Sequence, residues 1–214
     1  MLAKNEGLTF DQRLAKRVLD LVVSIIALVI TSPVMLVIAI AIKAYDGGPV
    51  FFVQDRCTIN GKVFKIHKFR SMIENAEKDG EVIPATDDDA RITPVGKIIR
   101  KTRLDELPQF FDILIGNMSV VGPRPERVEH VEKYVEEVPE FTYRMKVKGG
   151  LTGYAQIYGK YNTSAYDKLK LDLMYIQNYS ILLDLRLILM TVKIMFIKDS
   201  TEGFEEIKPS EKKD

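Results

Sequence analysis

The chain has 214 residues, one cysteine and a formal net charge of +1, enough length for one domain with a substantial core and no internal repeat. A lone Cys57 excludes an intramolecular disulfide and a cysteine metal cluster, and fits a reducing compartment. The near-neutral total conceals a basic first third: residues 1–72 hold ten Lys/Arg against five Asp/Glu, a surplus suited to anionic lipid or phosphorylated substrates.

The first predicted element is the uncharged run Leu21 to Ile42. As one helix it would extend about 33 Å, enough to cross a hydrocarbon core of about 30 Å. It is too long for the apolar core of a secretory signal, and no small-residue cleavage pattern follows before Lys43-Ala44-Tyr45. Pro33 cannot donate to the Val29 carbonyl, and Thr31 and Ser32 are placed to bond back to Ala27 and Leu28. A kinked crossing and a hairpin both satisfy that pattern. Charge separates them: Lys4, Arg13, Lys16 and Arg17 precede the run, while Lys43, Arg56, Lys62 and Lys65 follow it, and such flanks favour the cytoplasmic side. The expectation is a re-entrant segment over 18–43, turned back at Ser32-Pro33, with arms of about 15 to 17 Å each.

After the turn cluster Asp46-Gly47-Gly48-Pro49, Asn60-Gly61 separates two β-prone runs and predicts a hairpin of Val50 to Asp55 with Lys62 to Phe69. Lys65, Lys68 and Arg70 on or beside the second strand either face a ligand or lie on an open face. The acidic stretch Glu74 to Asp89 reads as solvated loop. In "RKTRLDELPQFF", Asp105 and Glu106 fall in the first turn of a predicted helix with Leu104, Leu107 and Phe111 on its apolar face. Thr102 and Asp105 have capping-box spacing, so the acids have a structural explanation as well as a chemical one. Helical stripes follow at Val128, Val131, Val135 and Val138, stopped by Pro139, and at Ala165, Leu169, Leu173 and Ile176, with Ser164 as cap. Ile181 to Ile197 is an apolar helix interrupted by Asp184, Arg186, Thr191 and Lys193; it lies against the membrane surface, packs beside the hairpin, or is a buried helix with two polar edges. Residues 199–214 form a charged tail.

The chemistry suggested by this string centres on Asp105 and Glu106, which lie among Arg100, Lys101, Arg103, Arg124 and Arg127. Carboxylates in such company are expected to stay ionised. An ionised aspartate can attack phosphorus to give an acyl phosphate, while its neighbour helps hold a divalent cation that screens a diphosphate. Magnesium suits a site with few carboxylates. Nucleic-acid binding is not indicated, because the basic residues lack a matching motif or interleaved aromatic platform.

Four ordered blocks, "KFRSM" (68–72), "RLDELPQFFDILIGNMSVVGPRPE" (103–126), "GLTGYAQIYG" (150–159) and "LDLMYIQNYSILLDLRLILMT" (171–191), make the chain resemble the bacterial polyprenyl-phosphate phosphoglycosyl transferases from about Arg13 to Ile197. It resembles their small, catalytic-core form, a single domain over 1–214. The resemblance implies a predominantly helical α+β fold with a re-entrant membrane helix broken at Ser32-Pro33, a small β-hairpin and a catalytic domain with interfacial helices. It implies a monotopic protein on the cytoplasmic face of the bacterial inner membrane, in contact with membrane lipid and open to homo-oligomerisation.

The implied reaction moves a sugar 1-phosphate from a UDP-sugar to undecaprenyl phosphate, releasing UMP, as the first membrane step of a surface glycan. By similarity, Asp105 is the nucleophile, and Glu106 helps hold Mg2+, with Asp105 itself and Asp172 as the other metal candidates. Lys68, Arg70, Arg103 and Arg124 are the phosphate-binding candidates, and Pro123 and Pro125 shape the nucleotide loop. The chain departs from many relatives at Lys148-Gly149-Gly150, where they carry a proline, and at His67, which receives no catalytic role. A phosphohydrolase with water as acceptor and a non-catalytic scaffold of glycan assembly are the alternatives.

Overall fold

The computed structural model describes residues 7–74, 76, 89–159 and 163–195; Lys4, the acidic pair Asp87 and Asp88 and the charged tail 199–214 lie outside them. Helix α1 spans Phe10–Asp46, 37 residues and about 55 Å. A reciprocal cap opens it: Gln12 N donates to the Thr9 hydroxyl at 3.4 Å, and Thr9 N donates to Gln12 Oε1 at 2.9 Å. Gly47, at φ 72°, closes it.

The helical backbone continues through Pro33, so Ser32-Pro33 does not interrupt the helix in the way expected. Thr31 donates to the Ala27 carbonyl at 2.7 Å as predicted, but Ser32 donates to Val29 at 2.9 Å rather than to Leu28. The Val29 carbonyl is the one that loses its backbone donor to the proline. The serine hydroxyl supplies that bond, and the helix survives a residue that ordinarily breaks it.

Both ends of α1 are docked on the rest of the chain. Towards its start, the Asp20 carboxylate accepts from the Ser119 hydroxyl at 2.8 Å and from Val120 N at 2.9 Å. Towards its end, Met35, Ile38 and Ile42 pack with Phe69 and Ile99, and Asp46 pairs with Arg70. Between them Val29 and Ile30 are 68% and 69% exposed. Among the described residues α1 is the one helix long and apolar enough to cross a membrane.

Strands β1 (Phe51–Cys57) and β2 (Val63–Phe69) form the predicted antiparallel hairpin, with Asn60 and Gly61 at φ 56° and 71° in its turn. The pleat separates the basic residues that the sequence groups together. Lys65 sits opposite Asp55 and is exposed, whereas Lys68 continues the inward face of Phe64 and Ile66. His67 is structural in its contacts: its backbone N donates to Asp112 Oδ2 at 2.9 Å and its Nδ1 lies 2.8 Å from Oδ1.

Two short helices follow, α2 (Pro94–Lys101) and α3 (Gln109–Ile115), whose last carbonyls, Ile113 and Leu114, accept from the Arg17 guanidinium at 2.7 and 2.8 Å. Strand β3 (Ser119–Val121) then pairs in parallel with β4 (Gly150–Thr152), a pair absent from the sequence reading because each strand is three residues long. Gly150 is required there by proximity, since a Cβ would stand 2.1 Å from Gly122 N.

Helices α4 (Val128–Glu137) and α6 (Ala165–Gln177) match the predicted stripes, the latter capped by Ser164 Oγ accepting from Asp167 N at 3.1 Å. Between β4 and α6 lies the short α5 (Tyr154–Tyr158). Helix α7 (Ile181–Met195) packs one face into the core: Asp184 and Leu187 are buried, while Leu182, Leu185 and Leu189 stand exposed. The core gathers Phe64, Ile113, Val121, Phe141, Leu169 and Tyr175. The predominantly helical α+β expectation holds.

Candidate active site

The sequence around Asp105 folds as a link between helices, and the link decides which way the acids point. Thr102 ends α2 by donating to the Ile98 carbonyl at 2.8 Å, so it does not cap a helix beginning with Asp105, as its spacing suggested. Arg103 then takes a left-handed backbone, φ 55°, and the chain enters a 3-10 turn over Leu104–Glu106 before α3 begins at Gln109. A non-glycine residue in that region carries backbone strain, which is retained where the surroundings hold it. Leu104 and Leu107 sink against the Phe69 and Ile99 cluster, and the two acids between them are turned towards two cavities.

Asp105 lines a cleft of about 660 Å³, with Lys68, Arg70, Arg100, Arg127 and His130 in its wall and Phe51, Phe52 and Phe69 along its side. Glu106 and Arg103 line a second, smaller cavity whose other walls are mainly apolar. The dipeptide therefore stands between a basic cleft and an oily one. Its residues also differ electrically. Lys68 Nζ and Arg124 Nη2 both donate to Glu106 Oε1, at 2.7 and 2.6 Å. Burial opposes ionisation of Glu106, but these two cations outweigh it and hold the carboxyl well below the ordinary glutamate range.

Asp105 moves the other way. Burial pushes its carboxyl up, Lys68 pulls it down and Glu106 pushes it up again, leaving it above the ordinary aspartate value. The expectation that both acids stay firmly ionised holds for Glu106 and is weakened for Asp105. Adjacent carboxyls driven apart by their surroundings are suited to different tasks: one a fixed charge, the other a group that reacts.

The remaining candidates divide. Lys68 and Arg124 converge on Glu106, and Arg103 stands at the cavity beside it. Arg70 lines the cleft but is 7% exposed and pairs with Asp46, so its guanidinium pins the end of α1 to β2 as well as facing the cleft. Pro123 and Pro125 hold the loop they were expected to shape: the Pro123 carbonyl accepts from Gly150 N at 2.8 Å and the Pro125 carbonyl from Arg56 Nη1 at 3.2 Å. The Pro125 ring also occupies the space beside Gly149, where a Cβ would meet Pro125 Cγ at 2.5 Å.

Asp172 is a correction. It is 1% exposed and accepts from Arg144 Nε at 2.7 Å, so its charge is already neutralised inside the core. Arg144 in turn donates to the Arg124 carbonyl at 2.9 Å, which makes Asp172 a support for the Arg124 loop rather than a metal ligand.

The remaining carboxylate pair fits magnesium, which binds through one or two carboxylates and completes its shell with water and phosphate oxygens. Glu106 Oε1 carries both cation contacts and leaves Oε2 open, and Asp105 makes no ion pair among the described residues. No group of three or more His, Cys, Asp or Glu side chains suited to a metal occurs among those residues, so a cation needing an all-protein cage does not fit. Sequence reasoning missed His130 and the apolar cavity. His130 had only the α4 stripe to betray it, and the cavity walls come from helices that read as ordinary core.

Residues 11–198 match the family of bacterial sugar transferases. Over 190 residues, 86% of this chain and 41% of the relative, the chain is 48% identical to a UDP-glucose:undecaprenyl-phosphate glucose-1-phosphate transferase of Klebsiella pneumoniae. It is 43% identical over 181 residues, 83% of this chain and 43% of the relative, to a UDP-N-acetylgalactosamine-undecaprenyl-phosphate N-acetylgalactosaminephosphotransferase of Aeromonas hydrophila. An uncharacterized sugar transferase of Bacillus subtilis (strain 168) is 37% identical over 187 residues, 87% of this chain and 90% of that protein. The chain thus spans about two fifths of the length of the first two relatives and nearly all of the third.

Proposed function

Because this chain belongs to the bacterial sugar transferase family, we propose that it transfers a sugar 1-phosphate from a UDP-sugar to undecaprenyl phosphate, through a phosphosugar intermediate on Asp105. The observation that carries the reading is the placement of Asp105 and Glu106 between a basic cleft and an apolar cavity. The substrates for which these relatives are named, a UDP-sugar and undecaprenyl phosphate, call for such a boundary, since one is water-soluble and the other is lipid.

In the first step an Asp105 carboxylate oxygen bonds to the sugar-bearing phosphorus of the donor. The bond from that phosphorus to the bridging oxygen breaks, and UMP leaves with the oxygen and its electron pair. Partial desolvation of Asp105, the reason its carboxyl is pushed up, also leaves its oxygens less hydrated for attack. Lys68, Arg100 and Arg127 line the cleft where the diphosphate would lie, and fixed cations there stabilise the charge developing on the leaving phosphate. Glu106 holds Lys68 and Arg124 in register. Magnesium bound by Asp105 and Glu106 would supply further charge neutralisation at the diphosphate. In the second step an oxygen of the lipid phosphate bonds to the same phosphorus, the acyl phosphate bond breaks, and Asp105 returns as a carboxylate. One positioned group thus serves two substrates in turn.

The same proposal places the protein on the cytoplasmic face of the bacterial cytoplasmic membrane, with α1 re-entrant and monotopic, at the first membrane step of a surface glycan. It is supported by the basic flanks on both sides of the run. The docking of both ends of α1 on the same body, while Val29 and Ile30 stand free of it, supports it as well.

Intact-mass measurement of the purified protein with a panel of UDP-sugars and magnesium, without lipid, tests the reading. One donor should add a single sugar phosphate to the protein and release one equivalent of UMP, and undecaprenyl phosphate should then remove the adduct. Continuous release of free sugar phosphate without lipid would instead identify a phosphohydrolase. No adduct and no UMP from any donor would leave the scaffold reading.

A further inference from the structure

The smaller cavity beside Glu106 has a volume of about 180 Å³ and lies among α1, α3, α5 and α7. Val23, Phe110, Leu151, Ile157, Ile188 and Val192 make most of its apolar wall. Arg103 and Glu106 stand in the same wall as charged groups. An apolar cavity of about 150 Å³ is large enough to take a benzene molecule, so this one takes an isoprene-sized unit. Left empty, a space of this size in a packed interior forfeits contacts on every side.

Arg103 differs from the two cations that pair with Glu106. Lys68 and Arg124 are committed to Glu106, whereas Arg103 is exposed, makes no ion pair among the described residues, and is held with a left-handed backbone. A free guanidinium bordering an oily cavity matches a ligand with a phosphate at one end and hydrocarbon at the other. The apolar surface also continues outward. Val192 in the cavity wall is 48% exposed, and Leu185 and Leu189 extend the exposed apolar face of α7. On α1, Val22 and Ile26 flank Val23 in the same exposed manner.

We propose that this cavity receives the first isoprene unit of the polyprenyl phosphate acceptor, that Arg103 holds the acceptor's phosphate next to Glu106, and that the rest of the tail leaves along the exposed faces of α1 and α7. This rests on the acceptor reading above. The donor approaches the 103–107 turn from the basic cleft and the acceptor from the apolar cavity, so one substrate need not leave by the path the other enters.

The test fills the cavity. Val192→Trp, at its exposed rim, and Ile188→Trp, deeper in its wall, are compared with the unaltered full chain in lipid nanodiscs. Two rates are measured: exchange of labelled UMP into the UDP-sugar without lipid, and full turnover against rising undecaprenyl phosphate. In at least one variant the KM for undecaprenyl phosphate should rise tenfold or more, relative to any change in exchange. If neither variant does so, because exchange and turnover fall equally or KM stays unchanged while exchange continues, the cavity is packing and the proposal is overturned.

A binding readout separates this outcome from failure of the aspartyl mechanism. An undecaprenyl phosphate analogue with a photoreactive diazirine on its first isoprene should label the peptides carrying Leu151 to Ile157 or Ile188 to Val192, and unlabelled undecaprenyl phosphate should compete. Label confined to other segments, or label that only bulk phospholipid displaces, would refute the assignment even if the sugar transfer proceeds as proposed. Competed label on those peptides without UMP exchange would keep the cavity and discard the intermediate.

Discussion

Among the described residues, two of the charge clusters are built from similar residues to opposite ends. In one, Lys16 donates to Asp184 at 2.7 Å and to the Tyr175 hydroxyl at 2.9 Å, and Tyr175 donates to Asp184 at 2.8 Å; Lys16 and Asp184 are 5% and 0% exposed. In the other, Lys68 and Arg124 meet on one oxygen of Glu106, the three side chains are partly open to solvent, and Asp105 next door is unpaired among the described residues. The first cluster closes on itself and fastens α1 to α6 and α7. The second leaves bonding capacity facing a cleft. Satisfied, closed charge networks specify packing, while a network with an open side is equipped to meet a ligand.

The largest contrast should come from Asp105→Asn. Removing a nucleophile while leaving volume and surroundings intact should lower sugar-phosphate transfer by about 10⁴-fold or more, with Tm within a few degrees of the parent by calorimetry. Normal turnover would take Asp105 out of the reaction. Lys16→Met should do the reverse: stranding the Asp184 charge in the core should cost about 3–5 kcal/mol of stability, read by denaturant unfolding in detergent. Its companion Lys16→Met with Asp184→Leu should recover much of that loss and retain activity. A double variant as unstable as the single one would mean the cluster does more than neutralise itself.

Arg124→Gln should reduce kcat by about 10² to 10³, the scale for losing one positioned charge donor, while sparing stability. Comparable losses in KM alone would make Arg124 a binding residue without a share in the reacting state.

The smallest effect concerns the buried Glu126. Burial pushes Glu126 up, but Arg144 and Lys168 pull it below the ordinary glutamate value of 4.5, and Lys168 Nζ stands 2.8 Å from its carboxylate. Its folded pKa lies below the unfolded one, so its stabilisation is present above pH 4.5 and lost as the pH falls through the lowered value. Glu126→Gln should therefore be less stable at neutral pH and show a shallower fall in Tm on acidification below that point. Parallel melting curves for parent and variant across that range would show that Glu126 has no such linkage.

The amino-acid sequence by itself determined the local elements whose cause is local. Asn60-Gly61 tolerates positive φ and makes the hairpin turn; Ser164 caps α6; the valine stripe makes α4; the long apolar run makes α1. The order of short motifs also carried the family and the importance of Asp105 and Glu106, because those residues are contiguous. Tertiary structure decided what depends on distant partners. The spacing of Thr102 and Asp105 suits a cap, but packing of Leu104 and Leu107 on Phe69 and Ile99 made a 3-10 turn there and sent the two acids towards different cavities. Asp172 carries the same carboxylate as Asp105, yet Arg144, 28 residues away, consumes it. The parallel pairing of β3 with β4 and the cavity beside Glu106 had no local signature at all, since each is made by segments that meet only when α1, α3, α5 and α7 close around them.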